Sequence, residues 1–217
     1  PQCNFEGYTN KSKLRQIFES KIKTDPYGAN EMALAAAQQV NPNLTIIADY
    51  YCQMGAIRMA QHNYAAAAAL ITHARKLLEK NENKARLSEI LLQSADVASR
   101  LHHLEESDKF ADESAKLSLD TMMHDSPELM KRLDMVTDFA QETRHFTKSI
   151  ENCLRAVALI KQQAPSKLDS YLPKFIEKIG IYSSLDNKRD QALLYFRENV
   201  ELRRANKSKD PQSYASS

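Results

Sequence analysis

Small side chains recur in this chain far apart and in step: Ala67, Ser107, Ser149 and Ala192 follow one another at intervals of 40, 42 and 43 residues. Twelve residues before each stands Gly55, Ala95, Thr137 or Gly180, and seven after each stands Ala74, Ser114, Ala156 or Asn199. A larger side chain usually precedes each by three, as Tyr64, Leu104, Phe146 and Arg189. A unit of that length with small residues at two fixed places demands a fold in which the same two elements pack closely, unit after unit.

The elements are helices. Apolar residues at helical spacing, interrupted by Pro, Asn and Asp clusters, predict segments at 11–23, 29–40, 43–61, 64–80, 84–103, 106–122, 127–145, 148–163, 167–184 and 189–206. Asn41-Pro42-Asn43, Asp125-Ser126-Pro127 and Ala164-Pro165-Ser166 place a capping side chain or a proline where helices begin. The connections are short, so consecutive helices lie antiparallel. Only four glycines and seven prolines occur in 217 residues, which disfavours sheet folds because these use both at turns. The run Ala65 to Ala69 favours helix but offers little area to bury. Its value lies in close approach, because a side chain beyond Cβ at Ala67 or Ala74 would force the neighbouring helix away.

Two segments carry a family resemblance. "MGAIRMAQHNYAAAAALITHA" (54–74) and "IGIYSSLDNKRDQALLYFRENVELRR" (179–204) resemble the tetratricopeptide repeat (TPR) family. Its signature asks for a small residue in the first helix, an aromatic opening the second, an alanine three positions on and a small residue seven beyond. The period exceeds the family's usual 34 and is similar to its longer-helix subgroup. In the last unit Arg189 and Asn199 depart from the pattern. The resemblance implies an all-α fold, a right-handed solenoid of about ten helices in antiparallel pairs. The expected organisation is an extension at 1–10, one domain at 11–206 and a polar tail or linker at 207–217. Within the domain an atypical pair, 11–40, precedes repeats at 43–80, 84–122, 127–163 and 167–206.

Chemistry is sparse. Cys3, Cys52 and Cys153 are too scattered for a disulfide framework or metal knuckle, so free thiols are expected, Cys3 being the candidate for reaction or cross-linking. Six histidines include no pair four apart around a glutamate, and His102-His103 would diverge on a helix. No phosphate loop or nucleophile elbow occurs. Glu105, Glu106, Asp108, Asp112 and Glu113 read as a solvated face over a helix start, where acids favour the positive end of the dipole. No enzyme activity, cofactor or metal is expected. The 30 basic and 28 acidic residues nearly cancel, so no charge field argues for nucleic acid or an anionic membrane, no nucleic-acid partner is expected, and no apolar run is long enough to span a bilayer.

A solenoid of this kind works as a surface. In the family the concave groove is lined by the first helix of each pair, and its register falls here on Asp49, Cys52, Ala56 and Met59, then Glu89, Leu92, Asp96, Ser99 and Arg100. The third unit supplies Lys131, Asp134, Asp138, Gln141 and Glu142, and the fourth Lys174, Glu177, Ile181 and Ser184. A clamp for a terminal carboxylate needs cationic and amide donors. Acids at Asp96, Asp134, Asp138, Glu142 and Glu177 disfavour it, so a protein or peptide partner of basic or mixed charge is expected. Two settings suit such a surface: the partner- or ligand-sensing domain of a larger bacterial signalling protein of histidine kinase or diguanylate cyclase type, or a stand-alone adaptor. The first would place it outside the cytoplasm as part of a membrane sensor or inside the cell, the second inside. The last helix, with Leu193, Leu194, Phe196, Val200 and Leu202, would be partly a cap, its outward side free to continue into another element or a homodimer.

The register predicts that Ala67→Leu overpacks the helix contact and costs about 1–3 kcal/mol. An unchanged melting temperature for that variant would place the contact elsewhere.

Overall fold

The computed structural model describes residues 20–40, 43–80, 83–124, 126–142, 144–162 and 169–209. The expected extension at 1–10, most of the helix expected at 11–23, Cys3 and residues 210–217 lie outside them. After a helical turn at 20–24 come α1 (Pro26–Val40), α2 (Leu44–Ala60), α3 (Tyr64–Glu79), α4 (Lys84–Arg100) and α5 (Leu104–Thr121). Then follow α6 (Pro127–Glu142), α7 (Phe146–Gln162), a 3-10 turn (Asp169–Tyr171), α8 (Leu172–Leu185) and α9 (Arg189–Lys209). The fold is all-α, with no strand among the described residues. The chain forms two compact units, Pro1–Leu117 and Ser118–Ser217.

Local chemistry sets the helix starts. Asn43, Asn63 and Asn83 each accept a backbone N–H of the first turn, from Thr45, Ala66 and Arg86. Ser126 does the same for Leu129 at 3.3 Å, and Asp25 for Gly28 at 2.9 Å. Helix α1 begins at Pro26, three residues earlier than expected, because Asp25 caps it and proline fits the first turn. The helix expected from 167 begins at Leu172 instead, after the 3-10 turn, with Pro173 in its first turn.

The helix ends repeat in the same step as the small residues. His62, His102, Arg144 and Asn187 all have left-handed backbone, with φ of 57° to 60°. The N–H of each returns to the carbonyl three residues back, at Met59, Ser99, Gln141 and Ser184. The next N–H reaches five back from Asn63 to Arg58, from His103 to Ala98 and from Lys188 to Ser183. This is the Schellman stop, built here on side-chain-bearing residues. It ends α4 at Arg100 and α6 at Glu142, earlier than periodicity alone predicted. His102 and His103 therefore sit in a turn rather than on a helix.

Within each unit the paired helices meet at the small positions. Ala67, Ser107, Ser149 and Ala192 are buried, as are Gly55, Ala95, Thr137 and Gly180 twelve residues earlier. The hydroxyl of Ser107 donates to the Ala95 carbonyl at 2.8 Å, and that of Ser149 to the Thr137 carbonyl at 3.2 Å. Helix approach is close enough for a short side chain to bond the facing backbone. A Cβ added at Gly55 would lie 2.8 Å from Ile71, and one at Gly180 would lie 2.8 Å from the ring of Phe196. Apolar side chains close over these contacts. Ala48, Cys52, Ala67, Ile71, Ala74, Leu78, Ile90 and Val97 form one cluster in the amino-terminal unit. In the carboxyl-terminal unit Leu129, Met130, Leu133, Ile160, Phe175, Ile176, Ile179 and Tyr182 are almost completely buried. Each such Leu, Ile or Phe contributes about 1.5–3 kcal/mol.

Left-handed backbone costs a side-chain-bearing residue about 1–2 kcal/mol, part of which glycine loses again to chain entropy. Arg144→Gly is accordingly expected to stabilise by about 0.5–1 kcal/mol. Asn187→Gly should change stability less, because asparagine already tolerates this geometry. Denaturant midpoints of the two variants check the difference.

Candidate interaction surface on the first helices of the pairs

Helices α2 and α4 of the amino-terminal unit bring their predicted face residues together through a residue outside the predicted set. Arg86 of α4 donates from Nε to Asp49 of α2 at 2.7 Å and from its guanidinium end to Glu89. Burial works against the charged guanidinium, yet Asp49 and Glu89 more than offset it and raise its pKa above the usual arginine value. Two turns beyond Glu89, Asp96 accepts from Arg100 at 2.7 Å. Ala56 is exposed, and Met59 and Ser99 are half-buried. Cys52 and Leu92 differ: they are 3% and 7% exposed and face the interior. Burial pushes the Cys52 thiol up to about 12, with Arg86 opposing, which leaves it protonated and unreactive at neutral pH. Cys153 is buried likewise, and desolvation also pushes its thiol up to about 12. Both register positions fall where the helix turns from surface to core, and their small or apolar side chains take the core side.

The carboxyl-terminal unit repeats the arrangement with the same signs, carboxylates on the earlier first helix and cations on the later one. Lys178 of α8, half-buried and also outside the predicted set, lies 2.7 Å from Asp134 of α6 and bonds Asp138 as well. Lys174 joins Asp134 from the solvent side. Burial raises the Asp134 pKa, but hydrogen bonds from Lys174 and Lys178 outweigh it and hold the carboxyl below its usual range. Burial lowers that of Lys178, and Asp134 and Asp138 together bring it above the ordinary lysine value. Tyr182 adds its hydroxyl to Asp138 at 3.3 Å; burial first and the Asp138 charge second raise its pKa. Glu177 is taken by Arg203 of α9 at 2.6 Å. Lys131, Gln141 and Ser184 are exposed, and Ile181 is 40% exposed. The side chain of Glu142 lies outside the described ones.

Asp49, Asp134 and Asp138, among the carboxylates expected on this face, are therefore matched by cations roughly one repeat further on, while Asp96 and Glu177 are matched by Arg100 and Arg203 at shorter intervals. Arg86 stands 37 residues after Asp49, while Lys174 and Lys178 stand 40 after Asp134 and Asp138. The face is mixed in charge and held in place by bonds between neighbouring first helices. That one-repeat offset was the signal in the sequence for Arg86 and Lys178.

Other chemistry is thin. Among the described residues no three His, Cys, Asp or Glu side chains are grouped to hold a metal, and no helix is long and apolar enough to cross a membrane. In the expected solvated stripe on α5, Asp108 is instead 3% exposed, because its register position falls on the packed side of the helix. The amino-terminal unit has an apolar cavity of about 230 Å³ between α3, α4 and α5, lined by Ile71, Val97, Ala98, Leu101 and Phe110 with His103 and Glu106 at its margin. A shallower concavity of about 720 Å³ beside it is lined by Arg75, His103, Glu106 and Lys109. The guanidinium of Arg75 lies over the Phe110 ring at 4.4 Å.

No family model matches the chain, and no curated protein does. Solved structures do. A Podosopora anserina putative kinesin light chain with nearly identical TPR-like repeats is similar at TM-score 0.70 and 9% identity, over 89% of this chain and 92% of that one. BtubC from P. vanneervenii is similar at 0.68 and 12%, over 88% and 79%. MamA from Desulfovibrio magneticus RS-1 is similar at 0.58 and 15%, over 92% and 98%. The chain has a TPR-like repeat fold.

The charge cluster has a pH signature. Asp134, with its lowered pKa, stabilises the fold at neutral pH and ceases to as pH falls through that value; Lys178, with its raised one, stabilises below about pH 10 and ceases to as pH rises past it. Lys178→Met leaves Asp134 with Lys174 alone and should cost about 1–3 kcal/mol at neutral pH. The gap in melting temperature from the wild type should narrow near pH 3, as the carboxyl takes up its proton. Equal gaps at both pH values would mean that the cluster contributes nothing.

Proposed function

We propose that this chain is a non-catalytic protein- or peptide-binding module whose partner lies along the exposed first helices of its pairs. The mixed-charge array of Asp49, Arg86, Glu89, Asp96 and Arg100 in one unit, and of Asp134, Asp138, Lys174 and Lys178 in the other, supports the reading. Side chains already held by neighbours lose little further freedom when a ligand binds, which favours affinity. A partner carrying both signs along its length suits this face better than a uniformly basic one. Met59, Lys131, Gln141 and Glu177 complete the proposed contact set, with Leu92 and Cys52 behind it.

The setting that accords with the first expectation is the partner- or ligand-sensing part of a larger bacterial signalling protein. An adaptor in a multiprotein assembly is the second setting. One observation favours it: α9 leaves large apolar side chains in the open, as an assembly surface would.

An immobilised peptide array tests the binding face. Peptides with Lys or Arg four residues from Asp or Glu should retain the protein better than uniformly acidic or basic ones. Lys131→Glu and Arg100→Glu, both at exposed positions, should weaken retention about tenfold, or ~1.4 kcal/mol; Lys131→Glu should keep the wild-type melting temperature, while Arg100→Glu should lower it slightly through the lost pair with Asp96. Indifference to these changes would remove the first-helix face as the binding surface.

A further inference from the structure

The cavity between α3, α4 and α5 of the amino-terminal unit is bounded by small side chains at places where the other unit has large ones. In the register of the small residues, Ala68 of α3 and Val97 of α4 correspond to Ile150 and Tyr182 of the carboxyl-terminal unit, both buried. Close-packed interiors hold few voids larger than a water molecule, so a space of about 230 Å³ walled by Ile71, Val97, Ala98, Leu101 and Phe110 is an exception. An apolar cavity of about 150 Å³ takes up benzene, so this one admits a phenyl group.

Its opening carries both charges. His103, Glu106 and Phe110 line the cavity and also the concavity of about 720 Å³ beside it, so the two form one site with an apolar depth and a polar rim. Arg75 and Lys109 bring positive charge to the rim, and Glu105 and Glu106 negative charge. The Arg75 guanidinium is held over the Phe110 ring at 4.4 Å, and its Nε is buried without a hydrogen-bond acceptor. Glu79 approaches that nitrogen to 3.5 Å from an exposed position and does not bond it. Glu106 stands one turn before Phe110 on α5, exposed, with His103 Nδ1 at 3.6 Å. A guanidinium and a carboxylate thus flank the opening about one helical turn apart, each with hydrogen-bonding capacity that the fold leaves unused. A simple anion or a simple cation meets repulsion from one part of this rim, whereas a zwitterion finds a partner for each of its charges.

We propose that this site binds a free α-amino acid with a large apolar side chain, of phenylalanine type. The side chain fills the cavity, the α-carboxylate accepts from Arg75 with Lys109 beside it, and the α-ammonium donates to Glu106. The site shares no residue with the first-helix face, so it stands whether or not a protein partner lies there.

Isothermal titration calorimetry of the full 217-residue chain tests it. L-Phenylalanine should bind with a Kd below about 1 mM. N-acetyl-L-phenylalanine lacks the ammonium and L-phenylalaninamide lacks the carboxylate, and each should bind about tenfold more weakly. L-Serine, which has both charges but no apolar group, should give no heat of binding. Glu106→Gln should weaken L-phenylalanine about tenfold and leave N-acetyl-L-phenylalanine unchanged. Arg75→Met, which keeps an apolar stem beside Phe110, should weaken L-phenylalanine to the same degree and leave L-phenylalaninamide unchanged. Glu106 is exposed, so Glu106→Gln should melt with the wild type and decides the matter even if Arg75→Met unfolds. No binding of L-phenylalanine, or equal binding of the three phenylalanine probes, overturns the proposal. So does tightest binding of the N-acetyl probe, which would assign the cavity to the carboxyl-terminal residue of a peptide, or of the amide, which would assign it to an amino-terminal one.

Discussion

The structure depends on how closely the two helices of a pair can approach. At Ala67 against Gly55, Ser107 against Ala95, Ser149 against Thr137 and Ala192 against Gly180, both contacting residues are small and buried. Where a hydroxyl is present, in Ser107 and Ser149, it reaches the facing carbonyl directly. Nothing larger fits without moving an axis, and moving an axis would uncover the apolar side chains above and below. Each pair is further fixed by its left-handed turn, five residues before the small position of the second helix. Turn and contact recur at the same interval because the turn determines which residue of the second helix comes opposite the first.

Close pairing has a consequence on the other side of the first helices. Once α6 and α8 are fixed, Lys174 and Lys178 stand opposite Asp134 and Asp138, and fixing α2 and α4 does the same for Arg86 and Asp49. Half-buried carboxylates in these positions would be costly alone. Paired, they form a surface with defined positions for both signs. The same geometry turns Cys52 and Leu92 inward and Asp49, Asp96 and Asp138 outward, so the candidate face is narrower than the register suggested. The outward stripe of α9 is the converse case, with Leu193, Phe196 and Val200 left open.

Much of the fold could be read from residues alone. The small-residue intervals located the contacts of the pairs, and most helix limits fell within a few residues. The misses have physical causes. The ends of α4 and α6 depend on a backbone stop that His102 and Arg144 adopt without glycine, so composition did not mark them. The start of α8 yielded to the 3-10 turn at Asp169–Tyr171. Asp108 looked solvated because five acids in nine residues read as surface, yet its place on α5 is a packed one.

The candidate face was legible in outline and not in charge. Periodicity names the residues that share a helix side, because 3.6 residues per turn is a property of the chain itself. It does not say which opposite charges from different helices come within 3 Å, because that distance depends on the crossing of two axes. Arg86 and Lys178 acquired their roles only when the helices docked, since a partner 37 or 40 residues away is a neighbour only after packing. The sequence by itself determined an all-helical repeat with close contacts at fixed small positions, through local propensity and pattern. Tertiary structure alone decided which charges are matched and which apolar stripe is left open, because each depends on a surface from another part of the chain.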